Sequence, residues 1–198
     1  MTMPEHEPYR RIAVLGSSGA GKSTLAVALG AATGLPVVHL DQEHWQPGWT
    51  EADKAAWKAK LAAIAARPEW IVDGQYGALL TERLRRANLA VLLDLPTSVC
   101  LSRIVRRWWR LRGIVRPDMA EGCPEKIDAE FFHYVATFRW LQRPKVIAAI
   151  EASGVRTVWL RTRKEQVAFA DLLRAQGLEA AVAAAPAWPQ SGFSSTTM

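Results

Sequence analysis

One stretch near the start of the chain has the residue types and spacing to hold phosphate: Gly16-Ser17-Ser18-Gly19-Ala20-Gly21-Lys22-Ser23-Thr24. It fits G-x-x-x-x-G-K-[ST]. In that pattern the glycines allow a tight bend, successive N–H groups converge on phosphate oxygens, the lysine reaches the outer phosphates and the next hydroxyl ligates Mg²⁺. The plain alternative is a chance glycine turn. The flanks speak against it. Arg11-Ile12-Ala13-Val14-Leu15 is short, apolar and branched, whereas Leu25-Ala26-Val27-Ala28-Leu29 suits a helix whose positive end would face the same anion. A nucleoside triphosphate with Mg²⁺ is the expected ligand.

Two acids follow apolar runs in the way this chemistry needs. Asp73 ends Trp70-Ile71-Val72, and a carboxylate there can bind Mg²⁺ through water and orient Ser23; the bland reading is a turn aspartate before Gly74. Asp41 ends Val37-Val38-His39-Leu40, where it can orient an attacking group, take its proton or join the metal shell. His39 alternates into the buried strand and reads as a hydrogen-bonded core histidine; His44 is a weaker candidate for substrate contact. Trp45 and Trp49 flank Pro47-Gly48 and can stack on a flat substrate, or simply pin the loop. Gln75 and Tyr76 offer polar groups beside the same cleft.

Arg103, Arg106, Arg107, Arg110, Arg112 and Arg116 crowd one predicted helix and the loop after it, with no acid between Asp94 and Asp118. Arginine suits bidentate phosphate contacts. Arg103 and Arg107 share a helix face, as do Arg106 and Arg110, so one ligand cannot engage them all. A lid over a transferring phosphoryl group, a nucleic-acid surface with Trp108 and Trp109 interleaved, and plain solvated surface are the three readings. The glycines of segment 113–124 give it the hinges of a lid.

These residues need a scaffold. Apolar runs at 11–15, 37–40, 70–72, 89–95 and 155–160 alternate with helix-forming stretches, expected at 52–66, 78–87, 97–112, 125–142, up to 152, and 164–176, with a capping-box-like start at Thr50. Continuous apolar strands alternating with helices predict an α/β fold, a parallel sheet covered on both faces, with ligands at the carboxyl ends of the strands. With 198 residues, 49% of them hydrophobic, one domain has room for a full core. Residues 1–9 read as a flexible N-terminus that is no signal peptide, 10–178 as the domain, and 179–198 as a loose tail. Cys100 and Cys123 lack metal or redox spacing, which predicts a reduced, cytoplasmic protein. No apolar run reaches membrane-span length. The net charge of +6 suits either nucleic acid or a phosphorylated small molecule.

The ordered set of glycine loop, His39-Leu40-Asp41, Trp45 and Trp49, Asp73-Gly74, Asp94-Leu95-Pro96 and the arginine helix resembles the adenylate kinase-like P-loop kinases over residues 10–175. Arg116-Pro117-Asp118 and Gly122-Cys123-Pro124-Glu125 are similar to a small bacterial branch labelled topology modulation protein or adenylate kinase-related. The resemblance implies a P-loop NTPase fold with a five-stranded parallel sheet and an arginine-bearing lid, ATP and Mg²⁺ as cofactors, and transfer of the γ-phosphate to a small nucleotide-like acceptor. It implies that Arg103 and Arg107 open the lid, that Arg139 and Arg143 close it, and that Arg161 or Arg163 stacks on the adenine. Two departures concern the acceptor. No arginine lies between Arg11 and Arg67, and Gln75-Tyr76 stands where such kinases carry an arginine, leaving Arg83 as the nearest. The branch label implies an effect on DNA, yet the sequence holds no helix-turn-helix; an ATP-binding regulator of DNA topology is the alternative. A monomer or small homo-oligomer is expected.

Overall fold

A computed structural model of the chain describes residues 8–77, 79–186 and 188–189. Five parallel strands form the sheet: β1 (Arg11–Gly16), β2 (Val37–His39), β5 (Trp70–Asp73), β6 (Leu89–Leu93) and β7 (Thr157–Leu160), in the order β2-β5-β1-β6-β7. A two-stranded antiparallel hairpin, β3 (Trp45–Gln46) and β4 (Thr50–Glu51), turns at Pro47-Gly48. Eight helices connect the strands: α1 (Lys22–Thr33), α2 (Leu40–His44), α3 (Lys54–Ala66), α4 (Leu80–Arg86), α5 (Thr97–Leu111), α6 (Ala129–Leu141), α7 (Arg143–Ser153) and α8 (Arg163–Ala184).

The strands are apolar throughout because both faces are covered. Alternate residues of β1 serve different cores. Ile12 and Val14 pack with Leu29, Val91, Phe169 and Leu173 on one face; Ala13 and Leu15 pack with Trp57, Leu61, Trp70 and Ile150 on the other. The parallel register sets Val14 between Asp73 and Val91, and His39 beside Asp73. Every chemistry-bearing turn therefore leaves the same edge of the sheet.

Several boundaries differ from the sequence expectation. Residues 40–44 form a helical turn and 45–51 a hairpin, where an irregular loop was expected. The third helix starts at Asp53, whose carboxylate accepts from the Ala55 and Ala56 amides, both at 2.9 Å; Thr50 is engaged in β4 instead. Neither Thr97 nor Ser98 caps α5, which begins after Pro96. Helix α6 begins after Asp128, which caps the Phe131 amide, because Glu125 is drawn into ion pairs. The last helix runs to Ala184, bending at Gly177, and buries Ala181 and Val182 where a loose tail was expected. Beyond it Trp188 packs on Trp159 at 4.9 Å. The rest of the expected tail, and residues 1–7 of the expected flexible N-terminus, lie outside the described residues, whereas Tyr9 is buried. Among the described residues no helix is long and apolar enough to cross a membrane.

Candidate active site

A cleft of about 1920 Å³ opens at the carboxyl edge of the sheet. A typical single-ligand pocket holds about 300–1,000 Å³, so this one has room for two ligands side by side.

One wall is the glycine loop. It leaves β1 at Gly16, and Gly19 and Gly21 take left-handed backbone at φ +80° and +100°. At Gly19 a Cβ would meet the Cys100 carbonyl oxygen at 2.5 Å, so only glycine lets the loop lie this close to α5. Gly16, Ser18, Gly19, Gly21, Lys22, Ser23 and Thr24 line the cleft, while Ser17 and Ala20 are buried behind it. Lys22 Nζ donates to the Ser17 carbonyl at 3.2 Å, folding the ammonium over the loop. The Ala20 carbonyl accepts from Arg103 Nη1 and from Gln166 Nε2, both at 3.1 Å, which ties the loop to α5 and α8.

Beside this wall stand the acids. Asp73 Oδ2 pairs with His39 Nδ1 at 2.9 Å, and its buried Oδ1 has no partner among the described residues. The bond to Asp73 raises the His39 pKa despite burial. The expectation of a hydrogen-bonded His39 is met, with a site acid as its partner. Asp118, from the segment after α5, lies near Ser23. Burial works to raise its pKa, but Arg116 at 2.6 Å and the nearby Ser23 hydroxyl hold it below the usual carboxylate range. Among the described residues no three His, Cys, Asp or Glu converge as a metal-holding group.

The opposite wall is aromatic. Tyr76 Oη donates to Asp41 Oδ1 at 2.6 Å. Burial first, then the Asp41 charge, drives the phenol pKa up, so Tyr76 stays a proton donor. The Tyr76 ring lies 5.1 Å from Trp57 and 4.8 Å from His44, and Trp45 and Trp49 meet at 5.4 Å. Burial lowers the His44 pKa. Lys54 and Lys58 line the cleft from α3 beside Trp57.

The roof is the segment between α5 and α6. It docks on the β3–β4 hairpin through Gly48 N–H to the Gly122 carbonyl at 3.0 Å, Trp49 Nε1–H to the Pro124 carbonyl at 3.2 Å and the Cys123 thiol to the Gln46 carbonyl at 3.1 Å. Gln42 also donates to the Pro117 carbonyl. Met119, Ala120 and Cys123 pack against Trp45 and Trp49. Beneath it the buried Glu125 carboxylate holds both Arg107, at 2.8 Å, and Arg116, at 2.7 Å.

The cleft thus brings together the glycine loop, Asp41, Trp45, Trp49, Gln75, Tyr76, Arg103, Arg107, Arg116 and Arg163. Asp73 is buried just behind it, at the strand end. Four further expected residues fall outside the cleft lining. Arg83 is 1% exposed, lies outside the cleft lining and donates through Nη2 to the Gly74 and Gln75 carbonyls at 2.9 and 2.7 Å, bracing the turn after Asp73. Burial lowers its pKa to about 10, which leaves the guanidinium charged. Arg139 is exposed outside the cleft lining, because its position on α6 points away from it. Arg161 also stands outside it, its guanidinium 5.2 Å above the Trp159 ring. Arg143, expected to close a lid, is bidentate to Asp94, with all three bonds within 2.9 Å. Lys54, Trp57 and Lys58 carry no motif in the sequence; the four-residue spacing of the lysines on an alanine-rich helix is their available signal. Asp118 and Glu125 stand there inside the motifs Arg116-Pro117-Asp118 and Gly122-Cys123-Pro124-Glu125, with no role of their own attached.

A model of the AAA domain family, AAA_18, matches residues 12–133. Among solved structures, shikimate kinase from Acinetobacter baumannii in complex with shikimate superposes with a TM-score of 0.51 at 18% identity, over 78% of this chain and 84% of that one. A gluconokinase from Sinorhizobium meliloti 1021 gives 0.43 at 21% identity over 88% and 90%, and deoxyadenosine kinase from M. mycoides with bound dATP gives 0.43 at 12% over 79% and 92%. No curated protein matches the chain. At these identities the likeness concerns the fold: a five-stranded parallel sheet flanked by helices, of the P-loop kinase kind.

Proposed function

We propose that this chain, which belongs to the AAA domain family and has a P-loop kinase-like fold, is an ATP- and Mg²⁺-dependent phosphotransferase that moves the γ-phosphate to a small, nucleotide-like acceptor. The observation that carries this reading is the two-walled cleft, with a phosphate loop on one side and Asp41 with its aromatic wall on the other. A protein that only bound ATP would have no need of the second wall.

In this reading the loop amides of residues 16–24 and Lys22 hold the ATP phosphates. Arg163 lines the cleft on the donor side and is the residue for the adenine, since Arg161 is engaged with Trp159. The donor set fits Mg²⁺ when the nucleotide supplies most of its ligands. Ser23 and Asp73 are hard oxygen donors, and the buried Asp73 Oδ1 has a lone pair to offer a metal-bound water. Bound there, Mg²⁺ neutralises charge on the phosphate oxygens. The acceptor oxygen attacks the γ-phosphorus, its bond to ADP breaks, and the acceptor proton passes to the Asp41 carboxylate, whose other oxygen is fixed by Tyr76. Arg103, Arg107 and Arg116 supply positive charge over the transferring group.

The test is ADP formation against a panel of small acceptors. The expected result is acceptor-dependent turnover that falls at least about a thousandfold in Lys22→Ala. Turnover unchanged in that variant would remove the assigned donor site. The adenylate kinase-related, topology-modulation branch, a cytoplasmic location and a monomer or small homo-oligomer belong to the same reading. One observation favours a second reading, an ATP-binding regulator on DNA: Arg106, Arg110 and Arg112 are exposed outside the cleft beside Trp109, which is 72% exposed. Strongly salt-dependent DNA binding without acceptor-dependent turnover would favour it.

A further inference from the structure

Charge is distributed unevenly along the cleft. At the end next to the glycine loop charges of both signs stand together: Asp73 is paired with His39 and Asp118 with Arg116, Lys22 and Arg103 line the same space, and Asp41 is the acid with an oxygen left over for an acceptor. Moving outward, Asp41 bonds Tyr76, Tyr76 packs on Trp57 and His44, and α3 then presents Lys54 and Lys58 to the same space. The two lysines lie four residues apart on one helix face. No ion pair is formed by either among the described residues, whereas Lys60, two residues on, is held by Glu43. Glu51 lines the cleft as well. Between the two ends the walls are rings: Trp45, Trp49, Trp57, Tyr76 and His44.

From this arrangement, and resting on the phosphotransferase reading above, we propose that the acceptor is an anionic alcohol built on a flat ring. Its hydroxyl meets Asp41, its ring lies among the tryptophans, and its carboxylate or phosphate reaches Lys54 and Lys58. A hydroxyl donates a hydrogen bond to the free Asp41 oxygen and can hand over its proton there. A phosphate acceptor, as in a nucleoside monophosphate kinase, would bring its negative charge directly against the Asp41 carboxylate, which a hydroxyl does not. The planar ring suits edge and face contacts with tryptophan, which a flexible polyol such as gluconate cannot make. Transfer balances simply: the new P–O bond forms at the ring alcohol, ADP leaves, and the anion on the lysines is a spectator.

Matched probes test each element. Pyridoxine against pyridoxine 5′-phosphate, and 1,4-benzenedimethanol against 4-(hydroxymethyl)benzoate, isolate the phosphate and the carboxylate; gluconate is an anionic alcohol without a ring, and AMP is a phosphate acceptor. Two readings are taken: acceptor-dependent ADP formation, and quenching of tryptophan fluorescence without ATP. The anionic member of at least one pair should bind about tenfold more tightly than its neutral partner and more tightly than gluconate. Lys54→Gln/Lys58→Gln should erase that preference, and Lys60→Gln should keep it. Anion-selective quenching without ADP formation would sink the phosphotransferase reading and leave the subsite standing. Equal binding of neutral and anionic members, preference for gluconate, phosphorylation of AMP above all others, or a preference untouched in the double lysine variant would each overturn the proposal.

Discussion

The two walls of the cleft accommodate unusual backbone in different ways. On the donor wall the left-handed positions are Gly16, Gly19 and Gly21, where the conformation costs little. On the acceptor wall Gly48 at φ +79° and Gly74 at φ +118° do the same, but Trp49 at φ +63° and Tyr76 at φ +30°, with Leu79 close by at +60°, take this backbone without being glycine. Bulky residues there carry roughly 1–3 kcal/mol of strain each, which surrounding contacts must offset. At Trp49 those contacts are the bond to the Pro124 carbonyl, the stack on Trp45 and the Lys126 ammonium 5.0 Å above the ring. At Tyr76 they are Asp41, Trp57 and His44. One wall is shaped by its own local sequence, the other by what is packed around it.

That contrast can be broken or sharpened by substitution. Asp41→Asn keeps the shape of the acceptor wall but removes its base; kcat should fall by about 10²–10⁴ while ATP affinity, read with a fluorescent nucleotide, stays level. A matching loss of ATP affinity would mean that the walls are not separable. Glu125→Gln leaves Arg107 and Arg116 without their shared carboxylate and should loosen segment 113–124 by about 2 kcal/mol, seen as faster limited proteolysis there. ATP should slow that cleavage, because its phosphates give the arginines a new partner. Trp49→Phe removes the bond to Pro124 and some ring area; the acceptor KM should rise by about tenfold, with kcat nearly constant. A fall in kcat alone would place Trp49 in positioning the transfer rather than in binding.

The smallest effect should be a pH slope. His44 is buried among rings, and its pKa in the folded protein lies below the ordinary 6.5. The unfolded chain therefore takes up a proton from pH 6.5 downward that the folded chain refuses, so stability declines as pH falls through that window. Thermal melts of the protein across this range should show a steeper acid decline than His44→Phe, which keeps a ring and loses the titration.

The same contrast explains what was legible beforehand. The glycine loop, the five strands and the acids at their ends were readable because each rests on a local pattern: a motif, a continuous apolar run, a residue at the end of it. The acceptor wall was half readable. Trp45, Trp49 and Tyr76 stood out, but Lys54, Trp57 and Lys58 enter the cleft only because Leu61 and Ile64 seat α3 on the sheet at one particular rotation. The arginines were readable as residues but not in their partners, for a related reason. A run of positive charge names no partners, and Arg107 and Arg116 find theirs at Glu125. Arg143 finds Asp94 across the sheet edge, and Arg83 finds two carbonyls.

The contacts between the hairpin and the segment above it bear on how such a protein can diversify. Gly122 sits where a Cβ would come within 2.9 Å of the Pro47 side chain, and Gly48, Trp49 and Gln46 are each bonded to that segment. Residues 42–51 and 117–124 are thus a single inheritable cassette, split in the chain but joined in space. A chimera that borrows one half from a relative would carry mismatched surfaces, whereas one that borrows both would keep this packing intact.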